Sequence, residues 1–148
     1  MEDQAFELDD ATVTVPAPAG AEFHDLAGLP AGTRHLTWTA GPDAFFMVSA
    51  GAGYGPEDVE LDSDDPAPLL GPGARRVSYR EHKRRPRRIE AGGGHVPETT
   101  LYQLSDLLFV PGADANLRIG YRVPVDAPEE LRALLARMLD GVKVDRDA

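Results

Sequence analysis

The chain contains no cysteine and no long run of apolar residues. Disulfides, thiolate metal ligands and a cysteine nucleophile are therefore excluded. No stretch approaches the roughly 18 consecutive apolar residues that a membrane-spanning helix requires. The amino-terminal segment, MEDQAFELDD, is acidic where a secretion signal is basic and then apolar. We therefore expect a cytoplasmic protein with no membrane-spanning segment.

The size and composition are typical of one globular domain. The chain has 148 residues, of which 42% are apolar and 27% are charged. This length is near the commonest size of a single domain, and this apolar share is sufficient to form one core. We therefore expect a single domain over residues 1–148.

Alternating and apolar segments predict strands, separated by turns rich in glycine and proline. A strand with Val77 and Tyr79 on one face continues into a cluster of arginines, after an acidic and proline-rich loop at about 56–74. The other predicted strands are 12–15, 33–40, 45–48, 100–110 and 117–125.

The carboxyl-terminal segment predicts an amphipathic helix at about 127–140. Its apolar residues follow the i, i+3, i+4, i+7 spacing of one helical face. Asp126 is a candidate cap at the beginning of this helix, and Gly141 is expected to end it. Strands joined by hairpin-length turns and followed by one helix predict the α+β class. We expect a single antiparallel β-sheet of about 5–6 strands packed against this helix.

The two ends of the chain resemble a known family in their pattern. They are the segments ATVTVPAPAGAEF and LRIGYRVPVDAPEELRALLARMLDGVKV, about a third of the chain together. An early strand that enters a proline-glycine turn, and a final strand, short polar loop and helix, resemble the PsbP-like α/β/α sandwich superfamily. The resemblance implies a fold with binding or assembly roles and no common active site.

The charge of the chain is strongly uneven. The net charge is −10, but residues 75–88 contain eight basic residues and one acid and carry +7. The rest of the chain, with 7 bases and 24 acids, carries −17. A basic segment within an acidic protein indicates a local binding surface for an anionic partner rather than a general affinity for polyanions.

The basic segment provides the candidate partner-binding residues, because guanidinium groups bind carboxylates and phosphates with two parallel hydrogen bonds. Its partner could be an acidic protein surface, including that of a second copy, or nucleic acid. Aromatic residues suited to base stacking are few near the cluster, which disfavours nucleic acid. Alternatively, the arginines pair with the acidic loop at 57–65 of the same chain, or form a solvated sheet edge. The candidate residues are Arg80, Lys83, Arg84, Arg85, Arg87 and Arg88.

Motifs for catalysis, metal binding and cofactor binding are incomplete. The run from Gly51 to Gly55 resembles a dinucleotide-binding loop, but Pro56 stands where the third glycine belongs. The acidic segment lacks the central glycine and terminal glutamate of a calcium loop. The histidines have no metal-ligand spacing, and no serine lies in a nucleophile-elbow motif. We therefore predict no catalytic residue, no metal ligand and no cofactor.

The leading interpretation is a non-catalytic binding or adaptor domain that engages an acidic protein partner, or a second copy, through its basic edge at 80–88. An alternative is a small-ligand-binding protein or enzyme with a pocket between the sheet and the helix. A third is nucleic-acid binding by the arginine cluster. The candidate residues for lining the pocket are Trp38, Phe46, Tyr102 and Tyr121.

Overall fold

A computed structural model describes residues 1–8, 11–52, 54, 60–84, 100–113 and 115–146. Within these ranges the chain forms ten strands, one α-helix and one 3₁₀ turn at Pro68–Leu70. The strands are β1 (Glu2–Leu8), β2 (Ala11–Ala17), β3 (His24–Asp25), β4 (Arg34–Gly41), β5 (Ala44–Gly51), β6 (Ser63–Pro66), β7 (Arg75–Arg84), β8 (Thr100–Val110), β9 (Asn116–Pro124) and β10 (Lys143–Arg146). The helix, α1, spans Glu129–Asp140.

The strands form two antiparallel sheets. The larger sheet has seven strands in the order β3-β4-β5-β9-β8-β7-β6. The smaller sheet has three strands in the order β1-β2-β10. In this smaller sheet β2 continues through Pro16 to Ala17, whereas β10 pairs only with residues 11–14 of β2. The missing amide proton of Pro16 therefore interrupts no ladder on the β10 side.

The main core lies between the larger sheet on one side and α1 with the smaller sheet on the other. Helix α1 packs against both β9 and β2. Leu36, Val48, Ile119 and Leu108 lie in one row across four adjacent strands of the larger sheet, and all are buried. The α1 side contributes Leu135, Met138 and Leu139, and β2 contributes Val13 and Val15. This arrangement buries the apolar side chains at the centre of one face of the larger sheet.

The opposite face of the larger sheet has a smaller apolar cluster. Val77 and Tyr79 of β7 pack with Leu107 and Phe109 of β8, and all four are buried. The prediction that Val77 and Tyr79 share one face is confirmed. As a result, Val77 and Tyr79 of β7 lie on this face, whereas Arg76, Ser78 and Arg80 lie on the helix-facing side.

The prediction of an antiparallel sheet with a carboxyl-terminal helix is confirmed, and the chain is an α+β protein. The expectation of a single sheet of about 5–6 strands was wrong, because the described strands form sheets of seven and three strands. The strands that the sequence failed to indicate are short or strongly charged. Glu2–Leu8 contains three acids, and Lys143–Arg146 has only four residues. Pairing with β2 holds both of them in place.

The expected acidic loop at about 56–74 also contains regular structure. Its residues 63–66 form β6, which pairs with Arg75–Ser78 of β7, and the 3₁₀ turn follows at Pro68–Leu70. Residues 55–59 lie outside the described residues. Strand β6 lies at the edge of the sheet, where its polar and charged residues can contact water. Its residue Asp64 pairs with Arg75 of β7.

The predicted helix at about 127–140 is confirmed, with different details at its amino-terminal end. Helix α1 begins at Glu129, and its cap is Pro128 without a side-chain hydrogen bond, so Asp126 is not the cap. Gly141 ends the helix as expected, and its amide donates to carbonyls of the last turn. None of the helices in the described part of the chain has the length and apolarity needed to cross a membrane.

Candidate functional site

The inner half of β7, residues 75–78, and the boundary residue Arg80 carry arginines that pair with aspartates of the same chain. Arg75 donates from Nε to Asp64 Oδ1 over 2.9 Å and also binds the second carboxylate oxygen. Arg80 donates from Nε to Asp62 Oδ2 over 3.0 Å. The hydrogen bonds between Arg75 and Asp64 raise the pKa of the arginine and lower that of the aspartate. Strand β6 produces these pairs because it places the acidic segment beside β7.

Arg76 lies at the centre of a more enclosed group of charges. Its Nε and Nη2 donate to the two oxygens of Asp106 over 3.1 and 2.9 Å, and its Nη1 donates to Asp140 over 2.5 Å. The hydroxyl of Tyr121 donates to Asp106 over 3.2 Å. The hydrogen bonds that Arg76 donates to Asp106 are the main cause of its raised pKa. Burial is the main cause of the raised pKa of Tyr121, and the nearby charge of Asp106 is the next. This cluster connects β7, β8, β9 and α1.

One of the alternatives that the sequence left open is present in part of the arginine cluster. The pairing of the arginine cluster with the acidic segment of the same chain is present at Arg75 and Arg80. Of the candidate partner-binding residues, Arg80 is therefore already paired, although its side chain is 52% exposed. Arg85, Arg87 and Arg88 lie outside the described residues.

The outer half of β7 differs from the inner half in its neighbours. Strand β6 pairs with β7 only from Arg75 to Ser78, whereas β7 continues to Arg84. On the side away from β8, residues 80–84 have no strand partner in the part of the chain that the structure describes. Lys83 and Arg84, two of the candidate residues, belong to this half.

The backbone direction of this edge follows from the pairing of Ser78. Its carbonyl accepts a hydrogen bond from the amide of Asp62 over 2.7 Å, on the β6 side. Backbone groups alternate along a strand, so those of Arg80, His82 and Arg84 point to the same side. Those of the intervening residues point toward β8.

A groove lies between the helix-facing side of β7 and α1, and we refer to it as the helix groove. Its volume is about 550 Å³. Arg132 is one of the residues that line the groove, and its buried Nε has no hydrogen-bond partner among the described residues. The hydroxyl of Ser78 lies 2.6 Å from that of Ser63. The lining residues are Asp62, Ser78, Arg80, Leu104, Val125 and Arg132.

The candidate pocket residues occupy other positions. Trp38, Phe46 and Tyr121 lie in one row across β4, β5 and β9, on the side that faces the helix and the smaller sheet. Phe46 is fully buried, Tyr121 is 5% exposed, and the Trp38 ring centroid lies 6.3 Å from that of Phe23. Tyr102 lies near the beginning of β8 and does not belong to this row. The helix groove is lined by none of these four residues.

A buried polar group lies on the opposite face of the larger sheet. His35 makes a hydrogen bond at each ring nitrogen. Its Nδ1 lies 2.6 Å from the hydroxyl of Ser49, and its Nε2 lies 2.7 Å from the hydroxyl of Thr37. Burial, with smaller effects of Arg118 and Arg122, lowers the pKa of His35. A serine hydrogen-bonded to a neutral histidine resembles a nucleophile and its base. However, Ser49 is only 1% exposed, so a substrate has no access to its hydroxyl.

Two further results concern metal binding and similarity to known proteins. Within the described ranges, no group of three or more histidine, aspartate or glutamate side chains is arranged to hold a metal ion. Comparisons with protein-family models, curated proteins and solved structures gave no match. The resemblance to the PsbP-like superfamily therefore stays a prediction.

The helix groove was missed by sequence analysis. Arg132 follows two glutamates on the polar side of an ordinary amphipathic pattern, and nothing in the sequence distinguishes it from a solvated surface residue. Its position beside Arg80 arises only when α1 packs across the sheet. Ser78 and Leu104 are brought to the same place by the pairing of β7 with β8, in which Arg80 lies opposite Leu104.

Proposed function

We propose that this protein is a non-catalytic binding domain that holds an extended acidic segment of a partner protein along the outer half of β7. The observation that carries the proposal is the difference in length between β7 and β6. Because β6 begins at Ser63, opposite Ser78, the described part of the chain leaves the edge at residues 80–84 without a strand neighbour. A peptide in extended conformation can add to such an edge through main-chain hydrogen bonds.

The charge of this region supports an acidic partner. Arg75, Arg76 and Arg80 already have carboxylate partners within the chain. The remaining excess of positive charge in the cluster comes from residues 83–88, which contain five bases and no acid. Complementary charges accelerate association and select the partner, while the hydrogen bonds of the added strand provide register.

A different protein fits this edge better than a second copy. The acidic segment of a second copy would be the natural complement, but Asp62 and Asp64 are engaged with Arg80 and Arg75 in each chain. A contact of these aspartates with a second copy would only exchange one exposed ion pair for another, with no net gain. The partner is therefore an acidic segment of another protein, and self-association is one outcome that the test distinguishes.

A labelled peptide of eight alternating glutamate and valine residues tests the proposal by fluorescence anisotropy. The double variant Lys83→Ala/Arg84→Ala should bind it about tenfold more weakly than the wild type, since each exposed ion pair contributes up to about 1 kcal/mol. The matched control is Arg137→Ala/Lys143→Ala, which loses the same charge at exposed positions on α1 and β10. The control should bind with nearly wild-type affinity.

Two results would overturn the proposal. An equal loss in both double variants would mean that the peptide responds only to the net charge of the protein. Equal binding of a peptide with N-methylated alternate amides would mean that strand addition is absent. A single-stranded oligonucleotide that binds more tightly than the acidic peptide would favour the nucleic-acid alternative, and sedimentation of the free protein would reveal self-association.

A further inference from the structure

We infer that the helix groove binds a small organic monocarboxylate. This site is distinct from the outer edge of β7, because it lies on the helix-facing side of the sheet and depends on Arg132 of α1. The inference extends the alternative of a ligand pocket between sheet and helix, but with other lining residues than the aromatic ones that the sequence indicated.

The first argument is the state of Arg132. Arg132 lines the groove, and its Nε is buried and has no hydrogen-bond partner in the described part of the chain. A buried donor that lacks a partner costs free energy, and the cost is greater for a charged group. Because Nε is shielded from solvent, a carboxylate in the groove would bind the two terminal nitrogens of the guanidinium with two parallel bonds, and would place a negative charge beside the group that lacks a partner.

The second argument is the position of Arg80 on the same groove. The hydrogen bond from its Nε to Asp62 fixes the orientation of its guanidinium. Its terminal nitrogens make no hydrogen bond to the residues that the structure describes, so they are available to an anion in the groove. Two guanidinium groups on one groove provide a stronger and more directional site than either group alone.

The remaining lining residues define the class of ligand. Asp62 carries a negative charge in the groove and opposes a second negative charge on the ligand, which favours a monocarboxylate over a phosphate dianion. Leu104 and Val125 provide apolar surface for a short hydrocarbon body. The volume of about 550 Å³ lies within the ordinary range of small-molecule sites, roughly 300–1,000 Å³.

Hexanoate and benzoate are the probes for this site. Hexanol, which lacks the carboxylate, is the control for the charge, and inorganic phosphate, which lacks a hydrocarbon body, is the control for the apolar contacts. Binding is measured by NMR titration of backbone amides. We expect either carboxylate to shift the amides of residues 78, 104, 125 and 132, with a dissociation constant in the millimolar range or tighter, about −4 kcal/mol or better. Hexanol and phosphate should shift them much less at equal concentration.

Substitutions separate this inference from the proposed function. Arg132→Ala should weaken carboxylate binding at least about tenfold, or 1.4 kcal/mol, and leave binding of the acidic peptide unchanged. Arg132→Lys retains the charge without the guanidinium fork and should also weaken it, which controls for a folding defect in the alanine variant. Lys83→Ala/Arg84→Ala should show the opposite pattern.

The inference fails if neither carboxylate shifts these amides up to about 10 mM, a concentration well above that needed for a millimolar site. It also fails if both Arg132 variants fold and bind the carboxylate as the wild type does. Either result would leave the peptide test of the β7 edge unaffected.

Discussion

The two halves of β7 carry similar charges but have different surroundings. In the inner half, β6 and α1 bring an aspartate to each of Arg75 and Arg76, and Asp62 reaches Arg80 at the boundary. In the outer half, the described part of the chain provides no strand on the same side. The basic segment of β7 therefore has two environments: the arginines up to Arg80 are paired within the chain, and residues 80–84 have no strand beside them on that side in the part of the chain that the structure describes.

The ion pairs in the inner half also differ in how much each is expected to contribute to the free energy of unfolding. Arg76 and Asp106 are 33% and 15% exposed and share their contact with Tyr121 and Asp140, whereas Arg75 and Asp64 are 36% and 39% exposed and form an isolated pair. Charges that are partly removed from water depend more on their partners. This difference orders the expected effects of substitution.

The largest effect on stability is expected at Asp106. Asp106→Ala removes both acceptors of Arg76 within the sheet and the acceptor of the Tyr121 hydroxyl, and should lower the free energy of unfolding by about 1–3 kcal/mol. Urea denaturation measures this change. The control is Asp140→Ala, whose side chain is 61% exposed, and which should cost no more than about 1 kcal/mol. Equal losses in the two variants would contradict a difference set by burial.

The next largest difference between the two halves of β7 is expected in their response to salt. Raising NaCl from about 0.05 to 0.5 M shortens the screening length from roughly 14 to 4 Å, so binding of the acidic peptide to the outer half should weaken about tenfold. The difference in unfolding free energy between wild type and Asp106→Ala should change much less, because these groups are partly buried. Peptide affinity that is independent of salt would contradict an electrostatic outer edge.

Between pH 7 and pH 5, the change in unfolding free energy should be smaller than the effect of Asp106→Ala. It should not come from the ion pairs in the inner half of β7. The pKa of Asp64 is lowered below its ordinary value of 3.8, so its pair with Arg75 is retained until the pH falls below that value. The pKa of His35 is lowered below its ordinary value of 6.5, so the unfolded chain binds more protons as the pH falls below 6.5. Stability should therefore decrease from pH 7 to pH 5.

His35→Gln isolates this contribution, since the other three histidines remain in both proteins. The variant should show a flatter dependence of unfolding free energy on pH in that range, measured by urea denaturation at several pH values. A wild type and variant with parallel pH profiles would show that His35 is not the group responsible.

The smallest effect is expected for the exposed pair of the inner half. Asp64→Ala, Arg75→Ala and the double variant form a thermodynamic cycle in which the coupling should be close to zero, because both side chains are exposed to water. Thermal denaturation at low salt measures the cycle. A coupling as large as the effect of Asp106→Ala would mean that β6 is held mainly by this ion pair.

Sequence reasoning succeeded where local pattern decides the structure. The bounds of β8 were predicted at Thr100 and Val110, and the apolar spacing of α1 gave its position to within two residues. It failed at β6, because Ser63–Pro66 has a composition typical of loops and becomes a strand only beside the arginines of β7. It also failed at Arg132, because the approach of a helix to a sheet edge has no local signature.

The most direct test of the central claim is amide hydrogen exchange along β7, measured by NMR with and without the alternating glutamate-valine peptide. Strand addition predicts that the peptide slows exchange of the amides of Arg80, His82 and Arg84, which point away from β8. The amides of Glu81 and Lys83, which point toward β8, should change little. If the peptide binds while the amides of Arg80, His82 and Arg84 exchange at their original rates, the outer half of β7 is not the edge on which the partner forms a strand.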